Sequence, residues 1–190
     1  PSRLAPGTLA DKVVLVAGGA EAVGHAAIQL ARWAGATVVT TVSSEEKATL
    51  ARAAGAHHVV NYRESDAAEA VLAAVPDGVD IVVEVAPGPN AALDLAVTKN
   101  HGTIAVYANN GGDSVSLDVR PFFARNLRFQ GLLLYTVGED ALQVAAEDIT
   151  AALKDGVLAV GEEAGLPLLR YPLEQTAAAL DEITVNVTNA

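Results

Sequence analysis

The sequence predicts an α/β fold, in which a doubly wound sheet of six parallel strands carries helices on both faces. Of the 190 residues, 51% are hydrophobic and only 4% are aromatic, a composition typical of proteins with buried, valine-rich strands. Short apolar segments alternate along the chain with segments of helical periodicity, and glycine or polar residues separate most of them. Such an alternation indicates a parallel sheet.

Each predicted strand is a short segment rich in apolar or β-branched residues. The six strands are Val13–Ala17, Thr37–Val42, His58–Asn61, Gly78–Val85, Gly102–Tyr107 and Leu127–Tyr135. The helices predicted between and after them are Ala22–Ala34, a segment ending at Ala54, Ser65–Val75, Asn90–Thr98, 121–126 and Glu139–Lys154. The second helix is expected to begin in a capping box, because Ser43 and Glu46 are three residues apart.

The residues after Gly156 break this alternation. Residues 166–171 have the composition of a strand and Leu173–Ile183 that of a helix, but no third element accompanies them. We therefore predict one domain at residues 1–156 and a tail at 157–190 that belongs to a second, missing body. The chain begins at Pro1 and contains no methionine, so we expect a processed product or an excised piece.

Charge and residue usage exclude several classes of function. There are 12 lysines and arginines against 23 aspartates and glutamates, and so acidic a surface repels nucleic acid and anionic lipid. The chain has no cysteine, and its four histidines lack the spacing of metal ligands, so we expect no metal site. No apolar run approaches the roughly 20 residues of a membrane span and no signal peptide is apparent, which favours the cytoplasm.

The segment from Lys12 to Gly35 predicts a nucleotide site. A strand ends in the glycines Gly18 and Gly19, and a helix begins directly afterwards. This arrangement brings backbone amides and a helix N-terminus to a diphosphate, as in the βαβ unit of a Rossmann-type, dinucleotide-binding fold. The alternative is a strand–helix turn that binds no ligand.

One residue of this turn departs from the usual three-glycine pattern. Gly18 and Gly24 can serve as the first and third glycines, but Glu21 stands where the second is expected. A carboxylate that faces the diphosphate would weaken binding. A carboxylate that faces the solvent would leave the backbone amide free to bind.

The end of the second strand indicates which dinucleotide is bound. NAD sites usually have an acidic residue there, which binds the ribose hydroxyls, but this chain has Thr41-Val42-Ser43. Hydroxyl groups together with Lys47, one helical turn later, suit the 2′-phosphate of NADPH. The alternative for Lys47 is an ordinary solvent-exposed lysine.

Long stretches of the chain resemble a known family. They are AGGAEAVGHAAIQLARWAGATVVTTVSSEEKATLARAAGAHHVVNYRE, GVDIVVEV, HGTIAVYANNGG, RPFFARNLRFQGLLLYT and YPLEQTAAALDEI. Together they are similar to the cofactor domain of the zinc-independent quinone oxidoreductases, the zeta-crystallin-like members of the medium-chain dehydrogenase/reductase superfamily. The similarity extends from about residue 8 to residue 184.

The resemblance implies a set of residues that contact NADPH. The diphosphate turn would contain Gly18, Gly19, Ala22, Val23 and Gly24. The 2′-phosphate would be surrounded by Ser43, Lys47 and Tyr62, next to Thr41, and the ribose would be bordered by Val85 and Ala86. The nicotinamide ribose would lie near Tyr107 and Asn109, and the nicotinamide amide would pack by Leu133 to Tyr135. The alternative for Tyr62 is half-buried packing within its loop.

The resemblance also implies an activity: hydride transfer from NADPH to a quinone or an α,β-unsaturated carbonyl, without zinc. In the family a catalytic domain precedes the cofactor domain, so we expect no catalytic residue in this chain and no activity from it alone. The alternatives are a cofactor-binding or scaffold module without catalysis, and an enoyl reductase domain. Because the last strand, Leu127–Tyr135, is apolar and would lie at a sheet edge, we also expect a homodimer that pairs two such strands.

Overall fold

The computed structural model describes residues 3–166 and 169–181, and it contains the predicted six-stranded sheet. The strands are β1 (Val13–Ala17), β2 (Thr37–Val42), β3 (His58–Asn61), β4 (Val79–Glu84), β5 (Thr98–Val106) and β6 (Arg128–Gly131). All neighbours pair in parallel, in the order β3-β2-β1-β4-β5-β6. This is the doubly wound Rossmann arrangement, so the predicted fold class is confirmed.

Helices cover both faces of the sheet, because each face carries its own apolar cluster. They are α1 (Ala22–Trp33), α2 (Glu45–Ala53), α3 (Ala67–Ala74), α4 (Pro87–Val97), α5 (Val119–Ala124) and α6 (Glu139–Lys154). Successive residues of β1 point to opposite faces. Val16 therefore packs with Ile28 of α1 in one cluster, and Leu15 packs with Val71 of α3 in the other.

Several element boundaries differ from the predicted ones, and three of the differences have a clear place in the structure. The N-cap of α2 is Ser44, whose hydroxyl accepts a hydrogen bond from the backbone N–H of Lys47 at 3.2 Å; the capping box at Ser43 was therefore wrong by one residue. Helix α4 begins at Pro87 rather than Asn90, since a proline lacks the N–H that a first turn leaves unbonded. Strand β5 begins at Thr98, four residues earlier than expected.

The last strand is shorter than the apolar run that predicted it. Its pairing with β5 ends at Val106 and Gly131, and one further hydrogen bond joins the N–H of Leu132 to the carbonyl of Val106 at 2.7 Å. Because β5 has no residues beyond that point, the following segment has no partner strand. Residues Leu134–Thr136 instead form a 3₁₀ turn.

The chain divides into two compact units, Pro1–Ala159 and Val160–Ala190. The second unit contains a 3₁₀ turn at Gly161–Ala164, which ends at Gly165 in a left-handed conformation. A second 3₁₀ turn at Leu173–Gln175 leads into helical residues 176–181, and the remainder of the predicted helix, up to Ile183, lies outside the described residues. The expected strand is not formed over residues 169–171.

Within the described residues, no helix has both the length and the apolar character needed to cross a membrane.

Candidate functional site

The carboxyl edge of the sheet contains a crevice where the chain reverses its direction of winding. Strands β2 and β3 lie on one side of β1, and β4, β5 and β6 lie on the other. The loops after β1 and β4 therefore leave in opposite directions, which opens a space between them in folds of this kind. We call the space between residues 18–21 and the ends of β4 and β5 the crevice.

The turn after β1 is packed too tightly for any side chain at two of its glycines. A Cβ atom on Gly19 would lie 2.1 Å from the hydroxyl oxygen of Thr40, and one on Gly24 would lie 2.2 Å from the carbonyl oxygen of Gly18. Gly18 itself has a φ of 69°, which favours glycine. Gly24 thus allows α1 to pack directly against the turn, the role expected of a third glycine.

Helix α1 begins at this turn with its first amides uncapped by any side chain. Glu21 is the N-cap residue, and its own N–H donates to the carbonyl of Gly18 at 3.0 Å. No side-chain cap bonds the amides that follow, and Ala22 and Val23 are both exposed. Unbonded amides and the positive end of the helix dipole make this a favourable place for an anion.

The side chain of Glu21 lies over the turn rather than away from it. A Cβ atom on Gly18 would lie 3.4 Å from Cδ and 3.6 Å from Oε1 of Glu21, and 3.5 Å from Cγ1 of Val85. The carboxylate therefore occupies the crevice between the turn and the end of β4. Of the two orientations that the sequence left open, the structure has the one that faces the crevice.

Tyr107 borders the same crevice at the end of β5. Its N–H donates to the carbonyl of Glu84 at 3.1 Å, which fixes the residue beside the end of β4. Burial, followed by the nearby carboxylates of Glu21 and Glu84, raises the pKa of Tyr107 to about 12. The phenol thus keeps its proton throughout the physiological pH range and can donate a hydrogen bond.

The residues predicted to hold a 2′-phosphate cluster at the ends of β2 and β3. The N–H of Tyr62 donates to the carbonyl of Val42 at 3.1 Å, which brings Tyr62 beside Ser43. Thr41 and Ser43 are buried, whereas Lys47 is partly exposed and Tyr62 is 44% exposed. Lys47 and Tyr62 are therefore the members of this group that solvent reaches.

The remaining predicted contacts follow β4, β5 and β6. Val85 lies against Gly18, as described above, and its carbonyl accepts a hydrogen bond from the N–H of Asn110 at 3.0 Å, so the loops after β4 and β5 are joined. Asn109 is exposed and hydrogen-bonds to Asp113. Leu133 is also exposed and follows β6, three strands from β1, which at about 4.8 Å per strand is roughly 14 Å away.

A buried pair of acids beneath the crevice was missed by the sequence reasoning. Glu84 ends β4 and is fully buried, and its two carboxylate oxygens accept hydrogen bonds from Nδ2 of Asn90 at 3.0 and 3.2 Å. The backbone N–H of Ala86 donates to the same carboxylate. Asp94 is only 1% exposed and lies against Glu84. A signal was present, because Asn90 and Asp94 are four residues apart and so share one face of α4.

The geometry of the two buried acids favours a single negative charge on the pair. As carboxylates both would be acceptors, and the oxygens of Asp94 have no donor among the described residues. Burial and then the adjacent charge of Glu84 raise the pKa of Asp94 to about 9. A neutral Asp94 can donate its proton to Glu84, which resolves the conflict between two buried acceptors.

Among the described residues, no group of three or more histidine, aspartate or glutamate side chains is arranged to hold a metal ion.

Comparisons with known proteins agree with this geometry. Residues 22–151 match the family model described as zinc-binding dehydrogenase. The quinone oxidoreductase of Rattus norvegicus is 30% identical over 177 residues, covering 92% of this chain and 51% of that protein. The 2-haloacrylate reductase of a Burkholderia species is 38% identical over 100 residues, covering 52% of this chain and 30% of that protein.

A solved structure gives the same result. The Escherichia coli quinone oxidoreductase complexed with NADPH superposes with a TM-score of 0.71 at 25% identity, covering 84% of this chain and 50% of that chain. The chain spans about half the length of the curated quinone oxidoreductases that it matches. The resemblance inferred from the sequence is confirmed: the chain belongs to the zinc-binding dehydrogenase family, as a quinone-oxidoreductase-like cofactor-binding domain of the medium-chain dehydrogenase/reductase superfamily.

Proposed function

We propose that this domain binds NADPH along the carboxyl edge of its sheet and, within a longer protein, presents it to an electrophilic acceptor. The observation that carries the proposal is the turn after β1, where Gly24 lies against the carbonyl of Gly18 and the amides of α1 are uncapped. The acceptor would be a quinone or an α,β-unsaturated carbonyl. Relatives named as quinone oxidoreductases and as a 2-haloacrylate reductase support this class of substrate.

In this proposal each part of the edge holds one part of the cofactor. The turn and the first amides of α1 receive the diphosphate, while Ser43, Lys47 and Tyr62, with Thr41 behind them, receive the 2′-phosphate. The ribose and nicotinamide groups extend towards β4, β5 and β6, past Val85, Ala86, Tyr107, Asn109 and Leu133. The bound cofactor supplies the hydride, and the residues of this chain orient it.

No acid or base of this chain is assigned to the hydride transfer. A catalytic domain outside this chain would supply the wall that faces the nicotinamide, and the tail at residues 157–190 would return to it. We accordingly propose that the isolated chain binds the cofactor but does not turn over substrate, and that the reaction uses no zinc.

Calorimetric titration with NADPH and NADH tests the cofactor assignment. We expect tighter binding of NADPH, and we expect Lys47→Ala to reduce this preference by about tenfold, since one charge-assisted contact to phosphate would be lost. Lys154→Ala, at the end of α6, removes the same charge elsewhere and should change nothing. Equal affinity for both dinucleotides would refute the 2′-phosphate site, and no binding of either would refute the cofactor site itself.

A second candidate function is a scaffold module that binds dinucleotides weakly or not at all. The position of Glu21 over the turn favours it, because a carboxylate there opposes a diphosphate. The same titration separates the two candidates.

We further propose that two copies of the chain pair through β6. All four residues of this strand are exposed, and Phe129, Leu133 and Tyr135 in and after it are 36%, 55% and 87% exposed. Unpaired backbone groups and apolar side chains at a sheet edge favour pairing with another strand. A monomeric mass by light scattering, at concentrations up to the millimolar range, would contradict this proposal.

A further inference from the structure

Glu21 differs from the rest of its turn in that its backbone does not require glycine. Its φ of −80° and ψ of 161° are ordinary extended values that any residue can adopt. A side chain at this position therefore fills the space in front of the turn and leaves the backbone conformation unchanged. In this chain that space, next to Gly18 and Val85, contains a carboxyl group.

The charge of this carboxyl group has no ion-pair partner among the described residues. None of the ion pairs in the described part of the chain includes Glu21. The side chain does not cap its own helix either. On the opposite side of the crevice lie the apolar side chain of Val85 and the neutral phenol of Tyr107, with the charge of Glu84 behind them. A second anion entering the crevice would meet the charge of Glu21, which no ion pair among the described residues offsets.

We propose that Glu21 is an internal competitor of the diphosphate: its carboxylate occupies the position over Gly18 that the diphosphate of a dinucleotide takes, and binding must displace it. This inference rests on the proposed function, because it takes the crevice to be the diphosphate site. It assigns Glu21 a specificity role. The residue lowers affinity for ligands that carry a diphosphate and leaves ligands without one unaffected.

The ligands of the test are chosen to separate the two ends of the site. NADPH contains both the diphosphate and the 2′-phosphate, whereas adenosine 2′-monophosphate contains only the latter. Each is titrated calorimetrically into the full chain and into Glu21→Gln, which removes the charge and keeps the size of the side chain. Asp77→Asn is the matched control, because it removes one exposed charge from the loop before β4, at the opposite edge of the sheet.

Glu21→Gln should bind NADPH roughly tenfold more tightly than the parent chain, the effect of one like charge a few ångströms away at intermediate screening. Its affinity for adenosine 2′-monophosphate should be unchanged, and Asp77→Asn should match the parent chain for both ligands. Glu21→Gly, which empties the crevice, should bind NADPH at least as tightly as Glu21→Gln, so that a new contact made by the glutamine amide is distinguished from relief of repulsion.

Three outcomes would overturn the inference. Equal or weaker NADPH binding by Glu21→Gln would refute the competition and leave the proposed function intact, provided that the parent chain binds NADPH. An equal gain for both ligands would reveal a general charge effect rather than competition at the diphosphate. Absence of NADPH binding by the parent chain and by both Glu21 variants would overturn this inference together with the proposed function.

Discussion

The turn after β1 and the end of β6 lie at the same carboxyl edge of one sheet but differ in how fully this chain packs them. At the turn, Gly19 and Gly24 have no room for a single additional carbon atom. All four residues of β6 are exposed, and a Cβ atom on Gly131 would meet nothing within 4 Å. The difference indicates that this chain by itself completes the diphosphate end of the proposed cofactor site, whereas the nicotinamide end of that site is left uncovered.

The largest expected effect on the free energy of unfolding comes from adding one methyl group to the turn after β1, with the same addition to β6 as the control. Gly24→Ala forces a Cβ atom against the carbonyl of Gly18, and overpacking against backbone should lower the free energy of unfolding by about 3 kcal/mol. Gly131→Ala is its matched control and should change that free energy by less than about 0.5 kcal/mol. Urea unfolding followed by circular dichroism measures both, and equal effects would remove the contrast between the two regions.

A smaller effect, on the pH dependence of stability, is expected from the buried acids beneath the crevice, Asp94 and Glu84. The pKa of Asp94 is about 9 in the folded chain, against a usual value of 3.8, so the folded state binds the extra proton. The stability that this proton provides is complete below pH 3.8 and is lost as the pH rises through 9. Wild-type stability should therefore decline from weakly acidic towards alkaline pH.

Asp94→Asn should flatten this decline, because the amide donates to Glu84 at every pH. At pH 8 the variant should be more stable than the parent chain by about 1 kcal/mol or more, because the parent chain must take up a proton on folding whereas the amide already carries its donor. Asp77→Asn, at an exposed position, should leave the slope unaltered. Thermal melts between pH 5 and pH 9 provide the measurement, and parallel curves for Asp94→Asn and the parent chain would contradict a shared proton.

The smallest effect on folding is expected at the uncovered edge itself. Phe129→Lys places a charge on β6, where the side chain is 36% exposed, and should change the free energy of unfolding of the monomer by less than about 1 kcal/mol. If two copies pair through β6, the same substitution should convert a dimer into a monomer in light scattering, since inserted charges block edge pairing. A dimer that persists in the variant would assign the interface to another surface.

The parts of the structure that the sequence predicts are those with a local signal. Runs such as Val13–Ala17 and Thr37–Val42 identify buried strands directly. Gly18 and Gly24 identify the turn, because Gly18 has a positive φ and a side chain at Gly24 would meet the backbone. The family resemblance then predicts the residues of the site. Their contacts with a cofactor remain predictions.

The features that escaped prediction depend on distant parts of the chain or on the direction of one side chain. The end of β6 is determined by where β5 ends, which is 25 residues earlier in the sequence. The pairing of Asp94 with Glu84 depends on how α4 packs on β4. The orientation of Glu21 depends on the rotamer of one side chain within an otherwise predictable turn. The N-cap of α2 is Ser44 rather than Ser43, and the sequence offers two adjacent hydroxyl groups for that position.

The proton shared by Asp94 and Glu84 has a consequence for measurement as well as for stability. Both carboxyl groups are at most 1% exposed, so we expect water to reach this proton only when α4 separates from β4. The rate at which this proton exchanges for deuterium therefore measures how often the domain opens locally beneath the crevice. A protonated carboxyl group has an infrared band distinct from that of carboxylates. Following this band in heavy water, with and without a dinucleotide, would report whether a ligand in the crevice keeps α4 packed against β4.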